Sequence, residues 1–451
     1  MAARNLRISI SNATTCAPTV IRCTDLRTRT IRLQSANKYY YQMSSSPDSP
    51  EVHHHGQPGS TITIDNLPDE ILMDIFERVP QMSQRDTPHL ESMRYSWMRP
   101  SDYPKDIPPE ESMLAPLGLS QVCSLWRSLA TSCPSLWTEI TVLICKDDSA
   151  QRDEWFLNAV DTWLSRSGVS PLRLRIVGDI SRSWLTWCDP DDAPGPKLEI
   201  TAHILRKLLD HQDRWRDASC TFIGHDPRIL PQLGLVDAPL LESLPFCWVG
   251  LTQLHDMTQI NLDISCSPRL RSLHLEGIPR ITTGGVSNLR ELTLVSASDE
   301  TSIKQSVFLQ LLQAIPNLQI LVFKAIHCES DAPQSSLITL ARLHTLAVDD
   351  NGDPAFLISS QEFSAMLVRS RPALEYYELS HIRVGGDTVA PFLQLMPGLE
   401  TLCLVTDPYT PDLFEMLSVK ETAESQDINA FLCPNLEKLI VKNCGYWNCN
   451  L

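Results

Sequence analysis

Apolar positions in the second half of the chain recur in one pattern, L-x-x-L-x-L. Eight segments carry it: Leu241 to Phe246, Leu270 to Leu275, Leu289 to Leu294, Leu318 to Phe323, Leu343 to Val348, Leu374 to Leu379, Leu399 to Leu404 and Leu436 to Val441. Their starts lie 29, 19, 29, 25, 31, 25 and 37 residues apart. Alternation over the last four positions predicts one short strand per segment, with its last two apolar residues pointing inward. Several segments follow a Pro and a small residue or Asn, as in Ile315-Pro316-Asn317 and Cys433-Pro434-Asn435. Helical spacing fills the intervals Val307 to Ile315, Phe363 to Ser370 and Val389 to Met396. Two earlier stretches read the same way. Trp163 to Gly168 leads to alternating Leu172, Leu174 and Ile176, and the helical face Leu205, Leu208, Leu209 precedes Trp215 and Phe222.

One such unit cannot cover its own apolar face, so the units must stack. The expected fold class is α/β: an irregular solenoid of the α/β horseshoe kind. Residues between the inward positions form its other face, and any target-binding surface of the array must use them. The candidates are His274, Glu291, Thr293, Asp349, Tyr376, Glu378, Lys438 and Lys442. Repeat arrays end on a polar cap. None is evident after Val441, so either a short cap lies within 442–451 or the chain continues beyond it.

Upstream the pattern is purely helical. Leu67-Pro68-Asp69-Glu70 opens a helix, with Pro at its first position and two acids at its positive end. Ile71, Leu72, Ile75, Phe76 and Val79 then make one apolar face, and Pro80 ends the helix. Residues 82–116 are polar and Pro-rich and read as an exposed insertion. A second helix spans about Leu119 to Thr131, with Leu119, Val122, Cys123, Trp126, Leu129 and Ala130 on its apolar face. Cys133-Pro134 breaks it, and Ile140 and Val142 alternate as in a strand. Two short helices cannot shelter faces this broad, so the rest of the chain or a partner must complete them.

Composition narrows the function. Apolar residues make up 43% and charged residues 20% of 451, as in ordinary globular chains. No run approaches the roughly 18 apolar residues of a membrane span. A net charge of −16 opposes phosphate backbones, so neither nucleic acid nor membrane is an expected partner. Fourteen cysteines include no C-x-x-C pair, which fits buried thiols in a reducing compartment, the cytoplasm or nucleus. Residues 1–45 hold Arg4, Arg7, Arg22, Arg27, Arg29 and Arg32 against the single acid Asp25, the composition of a basic tail or of an organelle transit segment. His53, His54 and His55 lie in a Ser/Pro/Gly-rich linker with no second ligand cluster nearby. No phosphate-binding, dinucleotide, zinc-protease or serine-hydrolase motif occurs. No catalytic, cofactor or metal residues are expected, and the chain does not read as an enzyme.

The ordered set Leu67-Pro68-Asp69-Glu70-Ile71-Leu72, then Leu119-Ser120-Gln121-Val122-Cys123-Ser124-Leu125-Trp126, then Pro134-Ser135-Leu136-Trp137, resembles the F-box of fungal F-box proteins. Members of that family frequently carry a leucine-rich-repeat array after the box. The resemblance implies a tail and linker over 1–60, an F-box over 61–142 with its insertion at 82–116, and a leucine-rich-repeat array over 143–451. It implies binding to a Skp-family adaptor through Leu67, Pro68, Ile71, Leu72, Ile75, Phe76, Val122, Cys123 and Trp126. Through the adaptor it implies a cullin–RING ubiquitin ligase, with the array holding a protein substrate. The alternative within the family is a scaffold that binds outside a ligase. The leucine-rich consensus also expects Asn or Cys three residues past the strand; Asn351 and Cys444 satisfy it, and Ile278, Ala297, Ile326, Ile382 and Asp407 do not.

Overall fold

A computed structural model of the chain describes residues 7–12, 19–22, 67–76, 111–144, 150–179, 196–223, 237–249, 261–276, 280–282, 288–295, 302–324, 327–329, 338–349, 360–380, 393–406 and 433–443. Its contacts divide the chain into two compact units. One comprises Gln34–Glu139 with Thr162–Ser170; the other comprises Met1–Leu33, Ile140–Asp161 and Pro171–Leu451. The helices are α1 (69–76), α2 (Glu111–Val122), α3 (Ser124–Ser132), α4 (Ala150–Arg166), α5 (Pro196–Leu209), α6 (Gln305–Ala314) and α7 (Ser360–Ser370).

The larger unit is organised by a sheet. The strands are β1 (Arg7–Asn12), β2 (Thr19–Arg22), β3 (Glu139–Ile144), β4 (Leu172–Asp179), β5 (Trp215–Ile223), β6 (Ser243–Val249), β7 (Asn261–Asp263), β8 (Ser272–Glu276), β9 (Arg280–Thr282), β10 (Glu291–Val295), β11 (Ser302–Lys304), β12 (Ile320–Lys324), β13 (His327–Glu329), β14 (Thr345–Asp349), β15 (Tyr376–Ser380), β16 (Thr401–Thr406) and β17 (Lys438–Asn443). Among the described residues, thirteen of them form one sheet in the order β2-β1-β17-β16-β15-β14-β12-β10-β8-β6-β5-β4-β3. From β4 to β17 each printed neighbour pair is parallel, so each new strand is laid beside its predecessor. The remaining strands pair off as β7 with β9 and β11 with β13.

All eight L-x-x-L-x-L segments form strands of this sheet. Registers align their inward positions: Leu273, Leu292, Leu321, Leu346, Tyr377, Leu402 and Leu439 make one row. Every member of that row is buried, as are Leu275, Leu294, Phe323, Val348, Leu379 and Leu404 in the next row. Burial of a Leu or Phe is worth about 1.5–3 kcal/mol, so these rows dominate the core.

A common turn feeds six of the eight repeated strands. The amide of Leu241, Leu270, Leu318, Leu343, Leu399 or Leu436 donates to the carbonyl three residues earlier, at 3.0–3.3 Å. Pro239, Pro268, Pro316, Pro397 and Pro434 occupy the second position of five of these turns, where a fixed φ favours the bend. Neighbouring turns are then tied by side chains: Asn288 Nδ2 donates to the Pro268 carbonyl at 2.7 Å, and Asn435 Nδ2 to the Pro397 carbonyl at 3.0 Å. The unit at Leu374 enters differently. Arg371 ends α7 in the left-handed region, φ 41°, before Pro372.

Helices pack on the buried rows. Phe308 of α6 meets Phe323 of β12 at 4.8 Å between ring centres, and Trp215 Nε1 donates to the Leu208 carbonyl of α5 at 3.1 Å. Gly178 on β4 sits at a close approach: a Cβ there would lie 3.3 Å from the Phe222 ring and 3.6 Å from Thr201.

Three expectations are corrected. The stretch read as a tail contains two strands: β1 lies parallel to β17, with Ile8 opposite Leu439, and β2 is antiparallel to β1. A hairpin from the beginning of the chain thus borders β17, where the sequence alone offered no cap. The single helix expected over Leu119 to Thr131 is two helices interrupted at Cys123. The stretch read as an exposed insertion over 82–116 ends in α2, which begins at Glu111 and carries a buried Pro116. The positions Asn351 and Cys444 and the first half of the helical pattern at Val389 to Met396 lie outside the described residues.

Candidate functional site

The helical module is built around two aromatic anchors. The Pro68 carbonyl accepts from the amides of Ile71 and Leu72 at 3.0 and 3.1 Å, which starts the first turn of α1. Leu72 and Phe76, four residues apart, are fully buried. Phe76 packs on Trp126 of α3 with ring centres 4.8 Å apart and planes inclined at 60°. Cys123 sets the start of α3: its backbone is extended (φ −154°, ψ 175°), and its sulfur accepts from the Trp126 amide at 3.5 Å. Arg127 Nε reaches back to the Ser120 carbonyl at 2.9 Å, bracing α3 against the last turns of α2.

The second anchor is Trp137. It is fully buried, and its Nε1 donates to the Ala130 carbonyl at 2.7 Å, satisfying one of the unpaired carbonyls at the end of α3. Trp163 stands edge-on to it at 4.9 Å, and the Arg166 guanidinium lies 4.3 Å from the Trp137 ring centre. The trailing Pro134-Ser135-Leu136-Trp137 is one 3-10 turn with Leu136 and Trp137 inward.

These anchors leave part of the apolar pattern in solvent. Ile71 is 48% exposed, Ile75 38%, Val122 59% and Leu125 40%. Ile71 and Ile75 are four apart and share a face of α1. Asp69, Glu70, Met73, Asp74, Leu129 and Ser132 line an open groove of about 450 Å³ between α1 and α3.

The nine expected adaptor residues therefore divide. Pro68, Ile71, Ile75, Val122 and Cys123 are exposed, and Leu67 and Trp126 are intermediate. Leu72 and Phe76 are corrected: both are fully buried and offer no surface, Phe76 packing on the Trp126 ring. Leu125 is an exposed apolar residue that sequence reasoning missed. Its signal was hidden by treating 119–131 as one helix; a start at Ser124 puts Leu125 in a first turn, off the apolar stripe.

The strand-face candidates also divide. On β8 and β10 the burial alternates, so Glu291 is exposed while His274 and Thr293 are half-buried. On β15 the alternation stops: Glu378 and Ser380 are buried, as are Ala347 on β14 and Cys403 and Val405 on β16. Buried polar groups need partners, and Glu378 has them: the Tyr376 hydroxyl donates at 2.5 Å and the Ser380 hydroxyl at 3.4 Å. Burial, with help from Glu378, pushes the Tyr376 phenol up. Glu378 is thus corrected from a surface residue to the centre of a buried polar cluster. Lys438 is exposed; Asp349 and Lys442 are placed by register only, opposite Ser380 and Val405.

Three described thiols are held in their protonated form. Burial raises the Cys220 thiol to about 12 and the Cys433 thiol to about 11. The Cys247 thiol donates to Glu276 and is also pushed up, by burial first and that carboxylate second. Protonated thiols are poor nucleophiles. Among the described residues, no three His, Cys, Asp or Glu side chains gather as a metal site, and no helix is long and apolar enough to cross a membrane. Compared with known proteins, the chain matches no protein-family model, and no curated protein is significantly similar to it.

Proposed function

We propose that this chain is the substrate-recognition subunit of a Skp–cullin–F-box ubiquitin ligase. The helical module is its F-box and docks a Skp-family adaptor through Pro68, Ile71, Ile75, Val122, Cys123 and the uncovered part of Trp126, with Leu125 alongside. Leu72 and Phe76 support this face from beneath. The parallel sheet with its returning helices is an irregular leucine-rich solenoid that holds the target protein. The chain acts by proximity and does no covalent chemistry: it raises the effective concentration of target lysines near a ubiquitin-charged enzyme. The cytoplasm or nucleus is its compartment.

The observation that carries this reading is the split within α1. A helix with a satisfied stripe, Leu72 and Phe76, beside an unsatisfied one, Ile71 and Ile75, suits a surface that a second protein completes. The order of the three motifs adds to it.

The split also dictates the test. Ile71→Asp with Ile75→Asp leaves the buried stripe intact, so the chain stays soluble and loses co-purification of a recombinant Skp adaptor. Leu72→Asp with Phe76→Asp instead unfolds the module. A soluble Ile71/Ile75 double variant that still captures adaptor as the wild type does would refute the interface. Co-precipitation of cullin together with the adaptor supports a ligase, whereas adaptor alone favours a scaffold.

A further inference from the structure

The second residue of each L-x-x-L-x-L segment lies just before its strand, and these residues form a ladder of their own. The amide of Glu242 donates to the Arg216 carbonyl, Arg271 to Glu242, Arg290 to Arg271, Gln319 to Arg290, His344 to Gln319, Glu375 to His344, Glu400 to Glu375 and Glu437 to Glu400, all at 2.7–3.0 Å. Successive rungs therefore stand one strand spacing apart, about 4.8 Å. Charge along the ladder is zoned. Arg271 and Arg290 are neighbours, Gln319 and His344 follow, and Glu375, Glu400 and Glu437 are three consecutive acids. The five charged residues of these two zones are exposed, and Glu242, on the rung before Arg271, is half-buried.

The ladder shows what happens when adjacent rungs are complementary. Arg216 Nε and Glu242 Oε2 meet at 3.5 Å, and one register further into the sheet Arg173 and Asp217 pair across β4 and β5 at 3.4 Å. Neighbouring rungs are thus within reach of each other. The two zones hold like charges at the same spacing and make no ion pair among the described residues. Arg290 and Glu375 are three rungs apart, about 14 Å, which exceeds the roughly 8 Å screening length of physiological salt. Glu242, on the rung before Arg271, is already paired with Arg216, so the two zones act as separate poles that can each take an opposite charge.

We infer that this rim binds a protein segment whose charges are segregated, acidic where it crosses Arg271 and Arg290 and basic where it crosses Glu375, Glu400 and Glu437. The inference rests on reading the sheet as the target-holding part of the chain, and it names the chemistry of that target. An extended segment advances about 3.3 Å per residue, so about four residues separate the two blocks.

The probe is a fluorescein-labelled peptide of three glutamates, a four-residue Gly-Ser spacer and three lysines. Its control is an isomer of equal composition with acids and bases alternating. At low salt the segregated peptide binds the purified full-length chain about threefold to tenfold more tightly than the isomer, a modest gain because exposed pairs are weak. That gain disappears in Glu375→Lys/Glu400→Lys/Glu437→Lys and, separately, in Arg271→Glu/Arg290→Glu. Two variants at opposite poles guard against misfolding of either one, and circular dichroism checks both. Equal affinity for the two peptides, or an unchanged gain in both folded variants, overturns the inference. No adaptor is present in this assay, so its failure leaves the adaptor face standing, and a failed adaptor capture leaves the rim standing.

Discussion

The parallel sheet and the helical module answer the same problem differently. In the sheet, every described inward residue of the eight repeated segments is buried, from Leu244 on β6 to Leu439 on β17. Each strand's apolar face is completed by the next unit. In the module, the apolar positions of α1 alternate between fates: Leu72 and Phe76 are sealed, while Ile71 and Ile75 remain about half or a third open. Apolar pattern alone does not distinguish a buried face from an exposed one. What distinguishes them is whether the chain supplies a neighbour for the face.

The comparison breaks most readily at its buried members. Phe76→Ala removes the ring that packs on Trp126 and costs about 3–5 kcal/mol, and Leu292→Ala in β10 costs about 2–5 kcal/mol. Urea denaturation of each variant checks both; a loss below about 1 kcal/mol at Phe76 would mean the module is not built on that contact. Trp137→Phe comes next. It leaves the Ala130 carbonyl without its buried donor and costs about 1–3 kcal/mol by the same measurement.

A smaller effect comes from Glu276, whose carboxyl burial holds above its ordinary value, with the Cys247 thiol pulling the other way. The folded chain therefore keeps this proton to higher pH than the unfolded chain does. Stability from this group is full at low pH and is lost as pH rises through the raised value. Glu276→Gln removes that loss, so the variant's melting temperature gains on the wild type's as pH rises above the ordinary carboxylate range, about pH 4. Parallel curves would show that Glu276 titrates normally. The smallest effect is expected at the open stripe: Ile71→Ala changes stability by about 0.5 kcal/mol or less, in sharp contrast to Phe76→Ala.

The repeated strands were legible because their signal is local and redundant. A proline turn, an inward leucine and a two-residue alternation all point to the same strand in segment after segment. The helix-then-strand units that end in β4 and β5 were legible from helical spacing followed by apolar positions of the strand. The break at Cys123 was not, because nothing in Leu119 to Ala130 interrupts helical spacing; the N-cap geometry of Cys123 overrides the periodicity. The strand β1 has a readable alternation, Ile8 and Ile10 between Arg7, Ser9 and Ser11, but the basic composition around it masked that signal. The strands β7, β9, β11 and β13 are three residues each, too short for any period to register. In the site, spacing identified which residues of α1 are apolar. It did not reveal which of them Trp126 would cover, since that contact joins residues 50 apart in sequence.

The most direct test of the docking face is hydrogen exchange of the intact chain with and without a recombinant Skp-family adaptor. Addition of the adaptor should slow exchange in 69–76 and 119–126 and leave 272–295 unchanged. An adaptor at saturating concentration that protects neither helical segment would contradict the account.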